Sequence, residues 1–310
     1  MRTILVTGAT RGLGLALVRA LDAHDDVALV LSVRDLEAGR AIAKTLRRAE
    51  AVAIDTGSLA SIRAFTSRWD RPLHALVNNA GLQITDGDSF TDERIETTLA
   101  VNHLGPLALA LGLLPHVRGG SVVGIGSGTH NPDNQAARRF GFRGGKFTSL
   151  EALARGETDG TNDQARGRNR YATSKLLTTV TAIELARRTT IARFATFDPG
   201  LMPGTGLART APWYARAVWS SVLGWVAPLM DDTSTPERSA RSLVKLLIEG
   251  PVMSGQTYGH DGAISHRLWK GAHDPELGKR IVDESLAALS SHRHHTRALS
   301  PSRRRMRRAC

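Results

Sequence analysis

The chain has 310 residues, 41% of them hydrophobic and 23% charged, which excludes a collagen or a disordered polymer and suits a folded domain with a full core. A single cysteine, Cys310, excludes an intrachain disulfide and a cysteine-based metal site. The net charge of +12 invites a nucleic-acid reading, but residues 291–310 hold seven arginines and no acid, leaving only +5 on the first 290 residues. We therefore expect one domain over residues 1–290 and a basic, disordered tail over 291–310, with nucleic-acid contact limited to nonspecific binding by that tail. No apolar run reaches membrane-spanning length, and the first residues lack the apolar region of a signal peptide, so a soluble, cytoplasmic protein is expected.

Strands are expected at 3–7, 27–31, 51–54, 75–77, 121–125 and 191–197, several of them almost wholly apolar, as in a parallel sheet covered on both faces. Helical patterns lie between them at 12–23, 36–47, 59–68, 92–114 and 171–188. This alternation predicts an α/β fold with a single doubly wound parallel sheet, the Rossmann arrangement. Two stretches interrupt it. Residues 128–170 form a long insertion rich in Gly and Arg with little that must enter a core. Residues 199–235 carry four prolines and the tryptophans Trp213, Trp219 and Trp225, and are expected to cover the substrate or to pack against a neighbour. Both follow strand ends, where open parallel sheets bind ligands.

After the first strand comes Thr7-Gly8-Ala9-Thr10-Arg11-Gly12-Leu13-Gly14, opening the first helix. Glycines at 8, 12 and 14 allow a tight turn, close approach to a pyrophosphate and close helix–strand packing, with the phosphates at the positive helix end. The second strand ends Val33-Arg34-Asp35 without an acid placed for a ribose diol, since Asp35 is expected to cap the next helix. Arg34, aided by Arg11, offers guanidinium donors to a 2′-phosphate, so NADP(H) is the expected cofactor. The eleven histidines show no metal-ligand spacing, and no metal site is expected.

From these residues the sequence resembles the short-chain dehydrogenase/reductase family, over about residues 1–262. Thr7-Gly8-x-x-x-Gly12-x-Gly14 matches its cofactor motif and Asn78-Asn79-Ala80-Gly81 its second signature, with Asn102, Ser127, Tyr171-x-x-x-Lys175 and Pro199-Gly200 following in family order. The Val33-Arg34-Asp35 strand end, the long interval from Ser127 to Tyr171 and the run from Pro199 to Arg209 resemble the retinol dehydrogenase and protochlorophyllide reductase branch. Two departures stand out. Gly204 replaces the threonine expected to meet the nicotinamide carboxamide, with Thr205 adjacent, and the cysteines of the photoactive reductase's pigment site are missing.

The resemblance implies a catalytic set of Asn102, Ser127, Tyr171 and Lys175. Hydride transfer to a carbonyl needs a proton donor at the oxygen, and Tyr171 supplies it. Lys175, one helical turn on, shares its face and is expected to stabilise tyrosinate and hold the nicotinamide ribose. Ser127 is expected to orient the substrate oxygen, and Asn102 to hold a water that links Lys175 to solvent. The resemblance further implies cofactor contacts from Thr10, Leu13, Asp55, Asn79, Ala80, Gly81, Pro199, Gly200 and Thr205, with Asp55 at the adenine. Asp198 reads as a turn residue. The expected activity is NADP(H)-dependent interconversion of a carbonyl and an alcohol on a largely apolar small molecule; many of the family form homo-oligomers, and the resemblance leaves the oligomeric state of this chain open. Reduction of an activated C=C or C=N bond is the alternative, and a catalytically silent nucleotide-binding regulator is a second.

Overall fold

The computed structural model describes residues 1–202, 233–265 and 268–298. Its chain order is β1 (Arg2–Thr7), α1 (Gly12–Leu21), β2 (Val27–Val33), α2 (Leu36–Ala43), β3 (Ala49–Ala53), α3 (Leu59–Thr66) and β4 (Ala75–Asn78). There follow α4 (Thr97–Leu99), a π-helical turn (Ala100–Leu104), α5 (Gly105–Leu113), β5 (Ser121–Ile125), α6 (Gln135–Arg139), α7 (Leu150–Ala154), α8 (Asp163–Arg188) and β6 (Arg193–Phe197). The last described elements are α9 (Pro236–Ile248), β7 (Thr257–Tyr258) and α10 (Pro275–Ala298).

The seven strands form one sheet in the order β3-β2-β1-β4-β5-β6-β7, and every neighbouring pair is parallel. The order reverses between β1 and β4, so the crevice at their carboxyl ends is the binding position. Side chains alternate along each strand between two cores. Ile4, Val6, Val77, Val123 and Phe197 face the layer of α1 and α9, while Leu5, Leu76, Val122 and Phe194 face α3, α5, α8 and α10. Burial on both faces is the physical reason these strands are apolar runs rather than alternating ones.

The differences from the sequence reading lie in the helices. The pattern read as one helix over 92–114 starts at Thr97, where the Glu96 carboxylate caps it by accepting from the Leu99 N–H at 2.7 Å. The π-helical turn then interrupts it. The stretch Thr97–His116 is also long and apolar enough to cross a bilayer, contrary to expectation, but 67% of its apolar window is buried inside the fold, as a core helix requires. Helix α8 begins at Asp163, well ahead of Tyr171, because the Asn162 side chain accepts from the Ala165 N–H at 2.8 Å.

The 128–170 insertion contributes more to the core than expected: Leu150, Ala152 and Leu153 of α7 are buried and Phe147 packs beside them. The short strand β7 carried too few residues to be seen in the sequence. Helix α10 continues through 291–298, the first part of the segment read as disordered. Residues 299–310 lie outside the described residues, as do Thr205, Gly204 and the three tryptophans of the expected covering segment.

Candidate active site

The glycine loop is built by its neighbours. The Thr7 hydroxyl accepts from the backbone N–H groups of Asn79 (3.0 Å) and Ala80 (2.9 Å). The Asn79 amide donates to the carbonyls of Thr7 (2.8 Å) and Gly8 (3.2 Å), tying the end of β4 to that of β1. Gly8 (φ +67°) and Gly12 (φ +54°) adopt left-handed backbone that an L side chain resists. A β-carbon at Gly14 would stand 2.4 Å from the Gly8 carbonyl oxygen, so α1 can lie this close to the loop only with glycine there. Arg11, at the N-cap of α1, makes no side-chain cap, which leaves first-turn N–H groups beside Gly12 and the buried Leu13 facing the loop. Such a cradle fits the pyrophosphate of a dinucleotide.

Around it, Arg34 is exposed directly after β2 and has no carboxylate partner among the described residues. Asp35 caps α2 by accepting from the Ala38 N–H at 3.0 Å. Asp55 is exposed beyond β3, with one oxygen engaged by the Gly57 N–H at 2.9 Å. Gly200 (φ +74°) donates to Asp198 at 3.0 Å, and the Pro199 carbonyl accepts from the Ser239 hydroxyl of α9 at 2.8 Å.

The structure brings Ser127, Tyr171, Lys175 and Asn102 together at the carboxyl ends of β4 and β5. Tyr171 and Lys175 are both buried on α8. The Lys175 ammonium donates to the Ile125 carbonyl (2.8 Å) and lies 5.4 Å from the centroid of the Tyr171 ring. The Ser127 hydroxyl accepts from the Thr129 N–H (3.3 Å) and hydroxyl (3.1 Å). A β-carbon on Gly81 would stand 3.4 Å from Asn102 Oδ1 and 3.7 Å from Lys175 Nζ, so the Asn78–Gly81 turn passes directly over both.

Burial governs the electrostatics of the site. Burial pushes the Tyr171 phenol well above the ordinary tyrosine value, the Asp198 charge adds to that, and the hydrogen bond with Ser127 opposes it. Burial brings Lys175 down to about 8, with Asp198 acting in the opposite sense. The phenol therefore keeps its proton at neutral pH.

Asn102 lies in the π-helical turn, a feature that recurs at functional sites. Its side chain accepts from the Leu82 N–H (2.9 Å) and donates to the Leu82 carbonyl (2.8 Å) and the Ser174 hydroxyl (3.0 Å). Its backbone carbonyl accepts from the Thr178 hydroxyl at 3.2 Å. These contacts make Asn102 a clamp between α8 and the loop after β4.

Three residues escaped the sequence reading. Asp198 is more than a turn residue, because its charge reaches Tyr171, Lys175 and His130. His130 is buried and donates from Nδ1 to the Ser127 carbonyl at 2.6 Å, fixing the backbone that carries the serine. Phe142, from the insertion, sets its ring 6.1 Å from that of Tyr171 at an interplanar angle of 52°. The only prior signal for any of them was position: Asp198 beside Pro199, and His130 three residues after Ser127.

A parallel sheet with a dinucleotide cradle at its switch point, and a buried tyrosine–lysine pair beside it, defines a nucleotide-dependent oxidoreductase. Comparison with known proteins gives the family. Residues 2–137 match the model of the short chain dehydrogenases. The chain is 31% identical to mouse (Mus musculus) polyprenol dehydrogenase, over 92% of this chain and 83% of that protein. It is 31% identical to the protochlorophyllide reductase of Avena sativa, over 93% of this chain and 100% of that protein. The fold matches a blue fluorescent protein from a metagenomic library, solved in complex with NADPH, with a TM-score of 0.59 and 23% identity over 84% of this chain and 96% of that one. The chain belongs to the short-chain dehydrogenase/reductase family, in the branch near the retinol dehydrogenases and protochlorophyllide reductases.

Proposed function

We propose that the protein is an NADP(H)-dependent oxidoreductase that interconverts a carbonyl and an alcohol on a largely apolar small molecule, with Tyr171 passing the proton. The observation that carries this reading is the buried, protonated Tyr171 phenol beside Ser127 and Lys175. The glycine loop would hold the pyrophosphate of the dinucleotide, whose nicotinamide would supply or accept the hydride. As negative charge develops on a carbonyl oxygen, the Tyr171 proton moves onto it while Ser127 holds the same oxygen by a hydrogen bond. The Lys175 ammonium lies close enough to stabilise the phenolate left behind.

Arg34, exposed and free of carboxylate partners among the described residues, together with Arg11, supports NADP(H) over NAD(H), because Asp35 is consumed as a helix cap. The Phe142 ring on Tyr171 supports an apolar substrate. Reduction of an activated C=C bond is the second reading, supported by the identity shared with proteins named protochlorophyllide reductase.

The test is Tyr171→Phe. We expect kcat for NADPH-dependent reduction, screened over paired ketones and enones, to fall on the order of a hundredfold or more while NADPH affinity is retained. Turnover within a few-fold of the wild type would refute the role of the tyrosine, and the preferred member of each pair separates the two readings.

A further inference from the structure

Helix α6 ends in a turn closed by two backbone bonds, Phe142 N–H to the Ala137 carbonyl (3.2 Å) and Gly141 N–H to the Arg138 carbonyl (2.9 Å). Gly141 takes the left-handed conformation (φ +82°) that this helix stop requires. The turn has a direct relation to the chemistry, because its Phe142 is the ring that rests on Tyr171.

The same turn carries Arg138, Arg139 and Arg143, all exposed. A fourth arginine, Arg168 on α8, lies against its apex: a β-carbon on Gly141 would stand 3.0 Å from Arg168 Nε and 3.1 Å from Cζ. That Nε is buried without a hydrogen-bond partner. Arg168 sits three residues before Tyr171, so the turn that carries three exposed arginines abuts a fourth on the catalytic helix.

Their charge balance is unlike that of the surroundings. Nearby cations are matched: Arg170 with Asp88 (2.8 Å), Lys146 with Asp159 (2.9 Å), Arg155 with Glu157 (2.8 Å), and Arg166 with Asp163. Among the described residues, none of Arg138, Arg139, Arg143 and Arg168 has an ion-pair partner. Between Asn134 and Ser149 the chain holds four basic residues and no acid. A merely solvated surface mixes both signs; here the unmatched arginines belong to the turn whose Phe142 ring lies against Tyr171 and to the helix beside it.

We propose that this turn is an anion anchor, and that the substrate is amphiphilic, with its reacting carbon at Tyr171, its apolar body along Phe142 and an oxyanion held by the arginines. Guanidinium forks match carboxylate and phosphate, so the shared chemistry is a planar or tetrahedral oxyanion. The inference rests on the oxidoreductase reading and narrows its substrate class.

The experiment compares an ω-oxo fatty acid, an ω-oxo alkyl phosphate and the neutral fatty aldehyde of the same chain length, with NADPH saturating. The variant is Arg138→Gln/Arg139→Gln/Arg143→Gln, which leaves Arg168 in its packing against Gly141. In the wild type we expect kcat/KM to favour an anionic substrate over the aldehyde, with the better of the acid and the phosphate identifying the oxyanion. In the variant that ratio should fall about tenfold, mainly through KM, and added salt should erode it in the wild type. Equal kcat/KM for charged and neutral substrates, or an equal change in both on substitution, overturns the anchor and leaves the oxidoreductase reading standing. Calorimetric titration of the NADPH-loaded protein with dodecanoate and dodecanol needs no turnover. If no carbonyl is reduced, arginine-dependent binding of dodecanoate alone upholds the anchor and sinks the hydride reading; equal binding of both sinks the anchor too.

Discussion

His103 offers a quantitative test of the packing that holds the site. It follows Asn102 in the π-helical turn and is buried, with Nε2 2.8 Å from the Ser285 hydroxyl of α10. That hydroxyl donates to the Ile281 carbonyl at 2.7 Å, so it accepts from His103, and the ring is a neutral Nε2–H donor. Burial holds its pKa down at about 4, against 6.5 for an exposed histidine. Between these values the unfolded chain binds a proton that the folded chain refuses. The stability gained from keeping the ring neutral is therefore complete above pH 6.5 and is lost as pH falls toward 4. At about 1.36 kcal/mol per pH unit, the full loss is about 3 kcal/mol, of which about 2 kcal/mol has gone by pH 5. In His103→Gln the amide retains a donor toward Ser285 but cannot titrate. Urea unfolding at pH 8 and pH 5 should show the wild type losing about 2 kcal/mol more than the variant, even where the variant starts from a lower value. Equal losses would mean that the ring reaches water and that α10 does not seal the turn bearing Asn102.

Two further outcomes follow from the cofactor edge and the chain's end. Arg34→Ala should weaken NADPH binding by about 1.5–3 kcal/mol and NADH binding far less, since only NADPH carries the 2′-phosphate; equal weakening in fluorescence titrations would refute the assignment. Removing residues 291–310 should preserve kcat and NADPH affinity, because the side chains Ile281, Val282, Ser285 and Leu289 that α10 buries among the described residues precede the cut. Steady-state kinetics of the truncated protein check this, and a folded truncation without turnover would place the end of the chain in the site.

The sheet was legible in the sequence because each strand is buried on both faces and so reads as a short apolar run closed by a turn. Ala75–Asn78 illustrates this, with alternate residues packed into opposite cores. The helix ends were less so. Local caps settle them, and a capping side chain competes with a periodic pattern that continues past it. Asn162 begins α8 ahead of its apolar stripe, and Glu96 delays the helix that the pattern had begun at 92. The π-helical turn left no mark, since one extra residue in a turn does not show in an apolar pattern read at helical spacing.

The site divides in the same physical way. Residues whose work is local were readable: the glycines of the loop by their spacing after a strand, and Tyr171 with Lys175 by their separation of one helical turn. Residues whose work depends on distant partners were not. Asp198 influences Tyr171 only because β6 ends beside α8, and nothing in its own neighbourhood of Phe197 and Pro199 encodes that. Asn102 was readable from its place in the motif order, but its contacts with Leu82 and Ser174 were not. The protonation of Tyr171 joins both kinds of information. Its position was plain from the motif, whereas the rise of its pKa follows from burial and from the Asp198 carboxylate just beyond β6. The motif thus places the phenol, and the long-range packing of the fold sets how firmly it holds its proton.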